Sequence, residues 1–168
     1  EILRVLGISG TVDGFLGKDL WAMAKVDEAG ARELQNINQQ IGLLFSTAKT
    51  LAENSGTSLE KDLNQVSEAV ARTIAELIAN NGAIDLGSST TIYTLLTDSM
   101  PATSSVSSLI LGAVSFNQSE LNDLLAGSDL DPSSLASADF VLKAQTTLQD
   151  AINSILNGLI DIASFLAD

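Results

Sequence analysis

The side chains in this sequence that could do acid–base or nucleophilic chemistry are carboxylates, lysines, hydroxyls and a single tyrosine. Histidine and cysteine are both absent. Imidazole catalysis, thiolate nucleophiles, disulfides and Cys/His zinc sites are therefore excluded. Two short stretches concentrate acids. Asp13-Gly14-Phe15-Leu16-Gly17-Lys18-Asp19 places two carboxylates around glycine-rich backbone, and Asp129-Leu130-Asp131 places two more one residue apart. Calcium takes about six to eight oxygens, and an EF-hand loop needs acids at alternating positions closed by a glutamate. Neither stretch has that pattern, and turn formation and helix capping account for both. A glycosidase-like carboxylate pair is left open by a single sequence. Most acids, however, fall on polar helix faces or at caps. No phosphate-cradling glycine loop and no nucleophile elbow is present. No catalytic, cofactor-binding or metal-ligating residue is assigned, and the chain is expected not to be an enzyme.

Three further positions could bind something. Gln145 lies within about 20° of the centre of an apolar stripe at 100° per residue, and a buried amide needs partners. Its plain role is a core amide bonded to a backbone carbonyl at a helix end; its functional role would be a ligand or partner contact. Asn38 flanks another stripe and reads the same way. Trp21 and Tyr93 are the only Trp and Tyr. Trp21 with Phe15 could form an exposed recognition patch, although such a residue more often plugs a loop against a bundle.

These residues need elements to hold them, and the apolar periodicity is helical throughout. Leu34, Ile37, Ile41, Leu44, Phe45, Ala48, Leu51 and Ala52 recur at three- and four-residue steps and define a central helix. It is expected to begin near Asp27 or Glu28 and to end at 54–56, with Gly56 as C-cap. Gly30 and Gly42 weaken it, or Gly42 admits a neighbouring helix. Asn36, Gln39, Gln40, Thr47 and Thr50 fall outside its stripe. Glu28/Arg32 and Glu68/Arg72 have the spacing of i,i+4 ion pairs.

Thr57-Ser58-Leu59-Glu60 fits a capping box opening a second helix with Leu59, Leu63, Val66, Val70, Ile74 and Leu77 inward, ended by Asn80-Asn81-Gly82. The short loop between the two predicts antiparallel neighbours. Ser88 or Ser89 caps a short helix with Ile92, Tyr93, Leu95 and Leu96, broken by Asp98–Pro101. A further helix spans 102–125, with Val106, Leu109, Ile110, Ala113, Leu121, Leu124 and Leu125 as core and a kink or break at Asn117-Gln118-Ser119. Asp131 and Pro132 then start a long helix running to about Leu166, with Val141, Leu148, Ile152, Ile155, Leu156, Leu159, Ala163 and Leu166 inward. The expectation is one all-α domain over 1–168, a multi-helix bundle of antiparallel amphipathic helices. Residues 1–26 form a loop-rich lead-in, 27–126 are helical, and 132–167 form the long C-terminal helix.

Length and composition agree. The 168 residues suit one domain with a full core. At 45% hydrophobic and 4% aromatic, that core must be aliphatic. A net charge of −13 repels nucleic acid and anionic lipid. The most apolar window, 151–167, contains Asn153, Asn157 and Asp161, so no membrane insertion is expected. No signal peptide is visible and the first residue is Glu1, so the chain is expected to be part of a longer protein.

The order of several segments resembles a known family. Ile2-Leu3-Arg4-Val5-Leu6-Gly7-Ile8, Val12-Asp13-Gly14-Phe15-Leu16-Gly17-Lys18-Asp19, Ile37-Asn38-Gln39-Gln40-Ile41-Gly42-Leu43-Leu44 and Ala144-Gln145-Thr146-Thr147-Leu148-Gln149 are similar to a helical segment of very large bacterial haemolysin-type (RTX) calcium-binding surface proteins. The resemblance implies an accessory helical module in an exported, extracellular or cell-surface parent involved in adhesion or biofilm formation. Its partners would be other modules of the same chain or other proteins. The glycine- and aspartate-rich calcium nonapeptide is absent from all 168 residues. Calcium thus belongs to the parent if anywhere, and no ligand is carried over to this chain. The alternative is a self-assembling filament or secretion-system subunit. A docking surface is expected at the Gly7–Trp21 loop, because loops carry binding residues more often than cores do.

Overall fold

The computed structural model describes residues 22–23, 30–54, 59–81, 84–100, 106–127 and 135–158. Among them are five α-helices and no strand: α1 (Ala31–Glu53), α2 (Leu59–Asn81), α3 (Ser89–Ser99), α4 (Ser108–Gly127) and α5 (Leu135–Leu156). The fold is an all-α multi-helix bundle, and α1 touches each of the other four helices.

That position makes α1 different from a surface helix. Leu44, Ala48, Leu51 and Ala52 of its expected stripe are buried, while Leu34, Ile37, Ile41 and Phe45 are half-buried. Burial also extends to Gln40, Thr47 and Thr50, which the periodicity placed outside the stripe. Neighbours cover α1 on several sides and leave a narrow exposed strip of Asn38, Gly42, Lys49 and Glu53. The hydroxyls tolerate this because the helix satisfies them itself. Thr47 Oγ1 donates to the Leu43 carbonyl at 2.9 Å and Thr50 Oγ1 to the Ser46 carbonyl at 3.0 Å.

The helix starts later than expected, and Asp27 and Glu28 lie outside the described residues. Gly30 is not a weak interior point but the N-cap, with φ 78° and no side-chain cap; its carbonyl accepts from Leu34 N at 3.0 Å. Gly42 admits no close neighbour either, since a Cβ built there meets nothing within 4 Å. The two glycines should therefore respond oppositely. Gly30→Ala forces a left-handed residue and is expected to cost about 1–2 kcal/mol. Gly42→Ala removes a poor helix former and should stabilise by about 0.5–1 kcal/mol. Urea midpoints of the two variants check both signs.

The core joins Leu43, Leu44, Leu51, Val66, Val70, Ile92, Leu95, Leu96, Val114, Leu148 and Ile152. Each helix contributes an aliphatic face, as expected from the low aromatic content. On α2, Val66 and Val70 are buried, Ile74 and Leu77 half-buried, and Gln65, Glu68, Arg72 and Glu76 exposed, in line with the stripe. Arg72 pairs with Glu76 at 4.0 Å, on the next turn rather than with Glu68. Thr57 and Gly56, the expected caps, lie outside the described residues. In α3, Ser88 is the N-cap, its Oγ accepting from Thr91 N at 3.4 Å.

α4 departs most from expectation. It is one helix through Asn117–Ser119, without a break. The polar side chains there bond to their own helix: Ser115 to the Leu111 carbonyl, Asn117 to that of Ala113 and Ser119 to that of Phe116. Leu109 and Leu124, expected in the core, are exposed at 65% and 57%. Apolar residues surround this helix, so periodicity marks no single face. The expected core residues Ala113 and Leu125 are buried, with Leu111 and Val114, and the same helix also buries Ser115, Gln118, Ser119 and Asn122.

α5 packs on α1 and α4. Ser46 meets Gln145 and Gln149, and Asn54 meets Asn153. These pairs advance together along both helices, so α1 and α5 run in the same direction. The antiparallel expectation does not hold for this pair; the intervening helices supply the crossover that parallel neighbours need. α5 closes at Leu156 rather than about Leu166. Gly158, at φ 68°, donates its N–H to the Ile155 carbonyl at 3.0 Å and ends the run. Asp131, Pro132, Leu159, Ala163 and Leu166 lie outside the described residues.

Candidate functional site

Two polar seams are built against α1. The first lies between α1 and α5. Gln145 and Gln149 sit one turn apart, so their amides reach the same point. Gln145 Nε2 donates to Ser46 Oγ at 2.6 Å, and Gln149 Nε2 donates to the same oxygen. Eight residues further along α1, Asn54 Nδ2 donates to Asn153 Oδ1 at 2.7 Å and to the Thr50 carbonyl at 2.8 Å. Gln145 thus has the partner that its position demanded, but a serine hydroxyl on another helix rather than a backbone carbonyl.

This seam floors an open cleft of about 460 Å³. α1 supplies Phe45, Ser46 and Lys49, α2 supplies Val66 and Ser67, and α5 supplies the two glutamines. Lys49 extends to Glu53 at 3.6 Å with its side chain 57% exposed. The lining offers amides, hydroxyls and one ammonium. Among the described residues, no carboxylate lines the cleft beside Ser46, whose oxygen already receives two amide donors. Ser46, Gln145 and Gln149 form a hydrogen-bonded contact between α1 and α5.

The second seam joins α1, α4 and the turn before α3, and it is closed to solvent. Gln40 Nε2 donates to the Asn122 carbonyl at 3.0 Å. Asn122 Nδ2 donates to the Leu86 carbonyl at 2.6 Å. Gln118 lies one turn earlier on α4; both it and Asn122 are 0% exposed. Among the described residues, the Gln118 amide nitrogen and oxygen and Asn122 Oδ1 have no hydrogen-bond partner. A buried amide without partners costs about 1–3 kcal/mol. Gln118→Met keeps the shape and removes both polar atoms. It is expected to raise the unfolding free energy by about 1–2 kcal/mol, read as a higher melting temperature.

Acidic side chains gather in two other places. Glu68 and Asp98 line a shallow cleft of about 290 Å³ between α2 and α3, with Arg72 beside them. All three are exposed. In the turn before α3, Asp85 Oδ1 accepts from Gly87 N at 2.9 Å. A Cβ on Gly87 would meet the Asp123 carboxylate of α4 and also lie 3.3 Å from Asp85 Oδ1. These two acids therefore flank one point on the surface.

Of the residues singled out from sequence, Asn38 is exposed and needs no protein partner, while Tyr93 is half-buried against the core. Asp13, Asp19, Asp129, Asp131, Phe15, Trp21 and the Gly7–Trp21 loop lie outside the described residues. Sequence reasoning passed over Ser46, Gln118 and Asn122. The i,i+4 spacings Gln145/Gln149 and Gln118/Asn122 were the available signal.

Among the described residues, no three acidic side chains come together as a metal-binding group. No described helix is long and apolar enough to cross a membrane. No family model, curated protein or solved structure matches the chain.

Proposed function

We propose that this domain is a non-catalytic structural or interaction module of a large exported bacterial protein of the haemolysin type, acting at the cell surface or outside the cell in adhesion or biofilm formation. The observation that carries the non-catalytic part is the use of the polar side chains. Ser46, Gln145, Gln149, Gln40 and Asn122 bond helix to helix, and Glu68 and Asp98, which share a cleft, stand exposed. General acid–base chemistry works best where water is excluded and groups are held against substrate. The exported, haemolysin-type parent is supported by the order of the Ile2–Ile8, Val12–Asp19, Ile37–Leu44 and Ala144–Gln149 segments. Other modules of that chain, or separate proteins, would be the partners.

The test is deletion of the domain from the parent, followed by surface display and cell-attachment assays. Loss of display or attachment supports the module. If both are untouched while an enzymatic activity disappears, the reading is wrong and the Glu68/Asp98 cleft becomes the place to look. The second reading, a self-assembling subunit, is favoured by one feature: Leu109, Phe116, Leu124 and Leu142 are large apolar side chains exposed on α4 and α5. Light scattering across a concentration series separates it, because a subunit assembles and a module stays monomeric.

A further inference from the structure

The exposed side of α4 has a pattern that the bundle does not use. At 100° per residue, Leu109, Phe116, Glu120, Asp123 and Leu124 fall within an arc of about 100°, and all five are exposed, while Ala113 in the same arc is buried. Leu109 to Leu124 spans about 22 Å of helix. Between Leu109 and Phe116, half-buried Gly112 has open space where a Cβ would stand. The result is two large apolar knobs on either side of a notch, followed by an acidic end. Asp85 adds a further carboxylate beside Asp123. α4 itself contains no Lys or Arg, so nothing on the helix neutralises that end.

We infer that this face docks a basic amphipathic helix of a partner protein. The inference rests on the interaction-module reading and names the class of partner. Helix ridges packing into grooves bring axes about 8–10 Å apart, and Gly112 lets a ridge approach between Leu109 and Phe116. Leu, Ile or Phe of the incoming helix cover the knobs, and its Lys or Arg residues meet Glu120, Asp123 and Asp85. Charge selects this occupant over the others. A second copy carries the same −13 and the same carboxylates, and nucleic acid and anionic lipid are repelled in the same way.

The probe is a labelled peptide of about 18 residues built from Leu and Lys, with Leu at i, i+3, i+4 and i+7. Fluorescence anisotropy with the 168-residue chain at physiological salt is expected to give a Kd of about 10 µM or tighter. Leu109→Ser with Phe116→Ser, and separately Glu120→Lys with Asp123→Lys, should each weaken binding at least about tenfold with unchanged melting temperature. Glu68→Lys with Asp150→Lys makes the same change in net charge on α2 and α5, and should alter binding less than about twofold. The inference fails if this remote pair weakens binding as much as the α4 pair, or if the serine variant binds normally. It also fails if a peptide of the same composition without an apolar stripe binds as well, or if the chain self-associates through Leu109 and Phe116. Failure here with display or attachment still lost on domain deletion would leave the module reading standing and remove only this partner.

Discussion

Leu44→Ala is expected to lower the free energy of unfolding by about 3–5 kcal/mol, with an unchanged denaturant slope. Leu44 is 0% exposed at the middle of the helix that all the others touch. Truncation removes buried methylene groups and leaves a cavity that the surrounding helices cannot collapse to fill, because each is also packed elsewhere. Domains of this size have only about 5–15 kcal/mol of stability, so the variant should melt well below the parent. Ile41, three residues away, is the natural control. It is half-buried, and Ile41→Ala should cost about 1–2 kcal/mol. Equal losses at the two positions would mean that Leu44 is packed no more deeply than Ile41.

Asn122→Ala should have the next largest effect, about 2–4 kcal/mol. Its side chain is fully buried and donates to the Leu86 carbonyl at 2.6 Å, tying α4 to the turn before α3. Truncation leaves that carbonyl without its donor and opens a void. The contrast with Gln118 on the same face is informative. Gln118 has no partner for its amide among the described residues, so Gln118→Met should stabilise where Asn122→Ala destabilises. Thermal melts of the two variants would check the opposite signs. Loss of stability in Gln118→Met would show that its amide is satisfied.

The helices were legible where apolar spacing, caps and breakers agreed. The Leu34–Ala52 stripe lies inside α1, Asn80-Asn81 marks the end of α2, and Ser88 caps α3. Three features were not legible, each for a physical reason. A helix covered on several sides can bury Thr47 and Thr50 because their hydroxyls bond to their own backbone, and a hydrophobicity pattern counts those residues as polar. α4 has leucines all round, so sequence could not tell that Leu109 and Leu124 face outward while Gln118 and Asn122 face inward. The Ser46–Gln145–Gln149 contact joins residues about a hundred positions apart, and no local pattern encodes such a pairing. Gln145 could be recognised as needing a partner, but not which one. The exposed face of α4 is the functional counterpart of the same ambiguity: its apolar residues read as core until the bundle is seen to turn them outward.

The central claim is that α1 is the shared core of a bundle held by side-chain packing, with its polar seams serving as structure. Native-state hydrogen exchange on the 168-residue chain in EDTA tests it most directly. The account predicts that the amides of Leu43 to Ala52 exchange only through global unfolding, at the free energy measured by denaturant and without any metal. Exchange of that segment through a cheaper local opening, or protection that appears only when calcium is restored, would contradict it.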